Sequence, residues 1–173
     1  MRDFIYEIMT DYPSIVIYLH VLSAVVWVGG MIALKFLIKS VNQELLPEQS
    51  VITKALLIKK FFSFLVPFIV LLFVSAFFMA LGYKDNAIDM DGFILDIHNL
   101  EVYKFITTKA SIWIIMVMNM ILMTWVMNKA SSDLCKFQKS KDCMWLVSAY
   151  LLPINIILGL VAIYIGVYLR SLY

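Results

Sequence analysis

Four long windows without a charged residue constrain the fold of this chain more than any other feature. They cover residues 12–34, 61–83, 110–128 and 144–169. Each is long enough to cross the roughly 30 Å hydrocarbon layer of a bilayer as a helix of about 20 residues. Membrane-spanning strands would be about half as long and would alternate apolar and polar residues, which these windows do not. We therefore expect an all-α integral membrane four-helix bundle, one domain over residues 1–173, with helices at about 13–38, 61–83, 104–128 and 144–170.

The overall composition agrees with lipid as the main solvent of this chain. Hydrophobic residues make up 63% of the sequence and charged residues 15%, which excludes an ordinary soluble domain. The first apolar run follows acidic residues and is too long for a signal-peptide core, so we expect it to remain in the mature protein. The expected partner is the lipid bilayer, and no nucleic-acid partner is expected.

Lysine placement predicts the orientation of the chain. The segments 35–60 and 129–142 hold nine of the fourteen basic residues, whereas segment 84–104 carries five acidic residues against two lysines. The positive-inside rule then puts both termini and the acidic segment outside, with the two basic loops in the cytoplasm. Cys135 and Cys143 fall in the second basic loop, where a reducing compartment makes a disulfide unexpected.

The first window contains a single histidine, His20. An imidazole at lipid depth is costly to bury and by default indicates a functional site, although a hydrogen-bonded structural histidine is the alternative. At about 1.5 Å per residue, His20 lies about 12 Å past Tyr12. Helical spacing puts Trp27 on the same face as His20.

The third window continues a face that begins at Lys109. Helical spacing adds, in order, Trp113, Met116, Met120 and Met123. Thioether sulfur is a soft ligand suited to Cu(I) and haem iron, but methionine is also adaptable packing material. Lys109 either belongs to a site or extends its ammonium to the headgroups.

Three polar residues of different windows are expected at similar depth. His20, Ser75 and Lys109 are predicted to meet in one outward-opening pocket. Trp27 and Trp113 are too deep for an interfacial belt, which indicates packing around another helix or a flat cofactor.

Other polar and small residues are expected to hold the helices together. Asn119 and Asn155 fall near mid-membrane and are expected to hydrogen-bond across helices. Gly159 and Gly166 share a seam of small residues that is expected to pack inward.

Two stretches carry a resemblance to a known family. Residues 19–30 read Leu-His-Val-Leu-Ser-Ala-Val-Val-Trp-Val-Gly-Gly, with a tryptophan seven residues after the histidine and then a glycine pair. Tyr103 and Lys109 then lead into an apolar helix that ends at Asn128-Lys129. Both stretches resemble the CopD domain of bacterial inner-membrane copper-resistance proteins.

The CopD resemblance implies a protein of the bacterial inner membrane that handles copper. Copper would come from a periplasmic donor to an outward-facing His/Met site. The residues implied as metal ligands are His20, Met116, Met120 and Met123.

The same histidine and lysine layout also resembles the HemJ family, four-helix membrane proteins that oxidise protoporphyrinogen and are associated with haem b. Both families look like relatives of b-type membrane cytochromes. This resemblance implies His20 as an axial haem ligand, Lys109 beside a propionate, and Trp27 and Trp113 flanking the cofactor. After the first helix, however, residues 35–39 read Lys-Phe-Leu-Ile-Lys, where HemJ proteins have an Arg-Leu-Phe-x-Tyr-His type of run.

Copper handling is the preferred function, because the motif match is nearer to CopD than to HemJ, and haem b binding is the runner-up. The sequence leaves the cofactor, copper or haem b, open, and it does not decide whether the protein is an enzyme. No second histidine lies inside a window, so two histidine ligands cannot come from one protomer. A second axial ligand would come from a methionine, a membrane redox partner or a second copy in a homo-oligomer. The third alternative is a structural accessory subunit of a membrane complex.

Overall fold

Helices account for the secondary structure of this chain. The computed structural model describes residues 7, 11–87, 97–132 and 137–171, and no strand occurs in those ranges. In order, the elements are α1 (Pro13–Glu44), α2 (Pro47–Ala87), α3 (Ile97–Ser132), α4 (Phe137–Leu146), a π-helical turn (Val147–Leu151) and α5 (Leu152–Ser171). Because α4, the π-helical turn and α5 follow one another without a break, they act as one fourth helix. The predicted all-α architecture of four helices is confirmed.

Each of the four helices contains a segment able to cross a membrane. By length and composition these segments are Pro13–Ser40, Gln49–Leu81, Tyr103–Lys129 and Lys141–Leu169. The chain is therefore a multi-pass membrane protein, as its charge-free windows predict.

The first two helices extend beyond their apolar windows. The segment at 35–60, expected as a loop, is helical except at Leu45 and Leu46. Pro47 disfavours helical backbone at Leu46 and is itself suited to a first helical position, so the chain turns sharply there. Lysine is a good helix former, so a run of lysines marks where a helix leaves the lipid and not where it ends.

The helices pack as a ring around a common interior. Helices α1 and α3 each pack against both α2 and α5, which places α1 and α3 at opposite corners. The fully buried side chains come from several corners and include Trp27, Met31, Leu65, Met123 and Leu152. An inward-facing residue of any helix can therefore approach the others across the centre.

A polar pair ties α3 to the fourth helix in the bundle interior, and we call it the mid-membrane clamp (Asn119 and Asn155). Asn119 Nδ2 donates to Asn155 Oδ1 at 2.9 Å and to the Leu151 carbonyl at 2.9 Å. Asn155 Nδ2 in turn donates to the Met116 carbonyl at 3.2 Å. The predicted hydrogen bond across helices is confirmed. The adjoining π-helical turn lies just before Pro153, which has no N–H to continue the regular ladder.

Exposed aromatic residues mark the two edges of the lipid-facing surface. Tyr18 and Tyr164 are exposed at the His20 end, and Trp125 and Trp145 are exposed at the opposite end. Trp145 and Tyr164 are separated by about 28 Å along the fourth helix, close to the hydrocarbon thickness of a bilayer. Lys129 lies over the Trp125 ring at 5.1 Å, as is typical of an interfacial lysine.

Two sequence expectations concern residues beyond this description. Cys135 and residues 88–96 of the acidic segment lie outside the described residues. Cys143 is described and is a free cysteine.

Candidate functional site

His20 is held by a short relay of hydrogen bonds from α2. Its Nδ1 lies 3.0 Å from Ser75 Oγ, and Ser75 Oγ lies 3.0 Å from the Leu72 carbonyl. A serine hydroxyl has one proton, and a carbonyl can only accept, so Ser75 donates to Leu72 and accepts from His20. This assigns the proton of the neutral imidazole to Nδ1. Nε2 keeps its lone pair, the arrangement that protein metal ligands use.

Lys109 reaches the same level from the opposite corner of the ring. Its Nζ lies 2.9 Å from the point where a Cβ would stand on Gly166, so the ammonium occupies the place of a missing side chain. It is also close enough to the His20 imidazole to interact with it electrostatically. We call His20, Ser75, Lys109 and Gly166 the site layer. It takes one residue from each of α1, α2, α3 and α5.

Lys109 has no carboxylate partner in the part of the chain that the structure describes. No acidic side chain there pairs with its ammonium, and no hydrogen bond from it is found. A partly buried cation at membrane depth normally has an anionic partner. The site layer therefore presents the positive charge of Lys109 and the lone pair of His20 Nε2.

Two tryptophans lie beneath the site layer on the opposite helices α1 and α3. Trp27 follows His20 by two helical turns and is 1% exposed. Trp113 follows Lys109 by one turn and stacks on Phe73, with ring centroids 5.2 Å apart. Both indole Nε1 atoms are buried, and neither has a hydrogen-bond partner in the part of the chain that the structure describes.

The methionines that the sequence groups with His20 occupy a deeper level. Met116, Met120 and Met123 are all buried in the core. The Met116 methyl group lies 3.2 Å from the Cβ position of Gly159, and Gly159 precedes Gly166 by about 10 Å along α5.

That separation puts Met116 at a deeper level than Lys109. The Met116 methyl group lies beside Gly159 and the Lys109 ammonium beside Gly166. Helical spacing predicts a common face correctly, but a common face extends over several levels.

The structure thus divides the predicted site residues into groups. It brings together His20, Ser75 and Lys109, as the sequence predicts. Trp113 lies one turn below Lys109, Trp27 and Met116 lie about two turns below the site layer, and Met120 and Met123 lie deeper still. Sequence reasoning missed the pairing of Gly166 with the Lys109 ammonium. The small-residue seam of the fourth helix contained that signal, but it was interpreted as helix packing alone.

No conventional metal cluster accompanies this layer. In residues 7, 11–87, 97–132 and 137–171, no group of three or more histidine, cysteine or acidic side chains could hold a metal ion. No protein-family model, curated protein or solved structure matches the chain. Fold and geometry together define a multi-pass helical membrane protein with a histidine–lysine layer near one end of its lipid-crossing region.

Proposed function

We propose that this chain is a haem b-binding protein of the bacterial inner membrane, with His20 as an axial ligand and Lys109 beside a haem propionate. One observation carries the proposal. The His20 imidazole, held through Nδ1 by Ser75, interacts electrostatically with a Lys109 ammonium that has no carboxylate partner among the described residues. A cofactor that combines a metal with carboxylates would satisfy both groups, whereas a bare cation would be repelled by the lysine.

The residues present fit such a cofactor by their donor chemistry. Ser75 fixes the imidazole tautomer and orientation through Nδ1, which leaves Nε2 as the ligand atom. Gly166 leaves room for the Lys109 ammonium, which would bind a carboxylate. When bound, haem b would supply one-electron redox chemistry, and the chain's own residues would bind it, orient it and limit its contact with water.

The number of histidines limits the ligation available from one protomer. The chain has two histidines, and His98 falls outside the predicted windows. Met116 lies at a deeper level than the site layer. A further protein ligand would come from a methionine of α3, a partner or a second copy of this chain.

Copper handling, which the CopD resemblance implies, is the second candidate. The observation that favours it is the buried series Met116, Met120 and Met123, which supplies soft sulfur inside the bundle. In that case His20 would receive the ion and the methionines would accept it at a separate, deeper step. The ammonium of Lys109 near His20 opposes this route.

An absorption spectrum with elemental analysis tests both candidates in one preparation. Protein purified in detergent from membranes should carry haem with a reducible Soret band, and His20→Ala should lose it. His98→Ala is the matched control and should keep the band. A colourless wild-type protein with stoichiometric copper would overturn the haem assignment in favour of copper. If His20→Ala changes neither haem nor copper, the protein is better explained as an accessory subunit of a membrane complex.

The proposed orientation places the lysine-rich end in the cytoplasm. The exposed lysines Lys35, Lys39, Lys59 and Lys60 all lie at the end opposite the site layer. With that orientation, the site layer opens toward the periplasm. A membrane-impermeant thiol reagent should leave Cys143 unlabelled in intact cells and label it after permeabilisation. Labelling in intact cells would reverse the orientation.

A further inference from the structure

Two hydrogen-bond donors in the bundle interior have no acceptor within the described ranges of the chain. The indole N–H groups of Trp27 and Trp113 are both buried without a partner among the described residues. Buried tryptophans usually find a partner for their N–H, and nearly all buried polar groups in native proteins are paired. A phenylalanine at either position would fill the interior without an unused donor.

The two tryptophans are arranged around the same interior space. They lie on α1 and α3, the two helices at opposite corners of the ring. On both helices the site-layer residue precedes the tryptophan, and helical side chains tilt toward the N-terminus of their own helix. Both indoles therefore extend from below toward His20 and Lys109. The stack on Phe73 restricts the orientation of the Trp113 ring.

Other polar residues of the interior show that this chain can satisfy its buried donors. In the mid-membrane clamp, both amide groups donate to protein acceptors. The remaining tryptophans Trp125 and Trp145 are exposed on the lipid-facing surface, where their N–H groups need no protein partner. The unpaired indole donors lie directly below the site layer, where Lys109 has no carboxylate partner among the described residues.

We propose that Trp27 and Trp113 form a second binding subsite, in which their indole N–H groups donate to oxygen atoms of a guest held by the site layer. The guest is a carboxylate-bearing molecule, because two N–H donors and an ammonium attract anionic oxygen and repel a metal cation. The identification of this guest as haem b rests on the proposed function. The oxygen-acceptor chemistry of the subsite rests on the unpaired indoles themselves.

Substitution by phenylalanine separates this role from simple packing. Trp27→Phe and Trp113→Phe should each weaken haem b binding about three- to tenfold, since one hydrogen bond is lost in each case. The thermal stability of the haem-free proteins should stay the same or rise, because an unused donor has been removed. Trp125→Phe is the matched control on α3 and should bind haem as the wild type does. Equal haem affinity in all three variants, or a loss of haem-free stability that matches the loss of affinity, would overturn the proposal.

A second measurement addresses the indoles without assuming haem. Resonance Raman and 15N NMR spectra report hydrogen bonding of each indole N–H, and the Phe variants assign the signals. In protein purified with its native contents, Trp27 and Trp113 should be hydrogen-bonded, and extraction of small molecules should abolish those bonds. If the bonds are present although the protein carries no haem, the subsite stands and the haem assignment fails. If both N–H groups are unbonded in every preparation, the subsite does not exist.

Discussion

The site layer and the mid-membrane clamp are both polar, and both lie within the same apolar bundle, yet they are completed differently. In the clamp, Asn119 donates to Asn155 Oδ1 and to the Leu151 carbonyl, and Asn155 donates to the Met116 carbonyl. In the site layer, His20 keeps a free nitrogen and Lys109 lacks a carboxylate partner among the described residues. Unsatisfied polar groups are costly in lipid. Polar groups that are paired within the protein therefore indicate a structural role, whereas unpaired ones indicate a ligand-binding role.

The largest expected effect is on the free energy of unfolding, from substitutions at Gly159 and Gly166. These glycines belong to the same seam of the fourth helix but contact different residues. A Cβ on Gly159 would come within 2.6 Å of Val28, a β-branched core residue, whereas on Gly166 it would meet the flexible end of Lys109. Gly159→Leu should lower the free energy of unfolding by about 3 kcal/mol, and Gly166→Leu by less than about 1 kcal/mol.

For haem binding, the order of the two effects should be reversed, with Gly166→Leu having the larger effect. Gly166→Leu displaces the ammonium and should impair haem binding despite its small effect on folding. Unfolding in detergent and a haem titration of both proteins check the prediction. Equal destabilisation by the two variants would contradict the distinction between packing and site.

The relay behind His20 gives the next largest effect. Ser75→Ala removes the group that holds Nδ1, so the imidazole can rotate and change tautomer. Loss of such a supporting partner typically weakens cofactor binding about ten- to a hundredfold. Ser63→Ala, an exposed serine on the same helix, is the control and should have no effect. If the two alanine variants bind haem equally well, the assigned tautomer has no role in binding.

The smallest effect is expected in the clamp. Asn155→Leu should reduce stability by about 1 kcal/mol, because it leaves the Asn119 amide with one acceptor instead of two. In the double variant Asn119→Leu with Asn155→Leu, the loss should be smaller than the sum of the single losses, since no unpaired partner remains. Haem affinity should be unchanged in all of these proteins. A drop in haem affinity without a drop in stability would show that the clamp also belongs to the site.

Much of this arrangement could be predicted from residue patterns. Charge-free length predicts four membrane helices, because a helix of fixed rise must cross a layer of fixed thickness. Depth counted from the window ends brings His20, Ser75 and Lys109 to one level, as the structure has them. Asn119 and Asn155 were predicted to pair, since two amides in lipid have few other partners.

Other features could not be predicted because they depend on how neighbouring helices are aligned along their axes. The heptad-like series from Lys109 to Met123 suggests a single face, but its members are distributed over several levels of the interior. To predict that the Lys109 ammonium lies against Gly166, one must know how α3 and α5 are aligned along their axes. No local sequence pattern specifies that alignment. The ends of the helices could not be predicted either. A charge-free window marks the part of a helix that contacts lipid, and the helix continues beyond that part.

The most direct test of the central claim, that the site layer receives an anionic guest, compares the binding of haem b with that of its dimethyl ester. The ester keeps the metal and the ring but has no carboxylates. Wild-type protein should bind haem b about tenfold more tightly than the ester, as one charge-assisted hydrogen bond would provide, and Lys109→Met should bind the two equally. Equal affinities in the wild type, or an unchanged preference in Lys109→Met, would contradict the account.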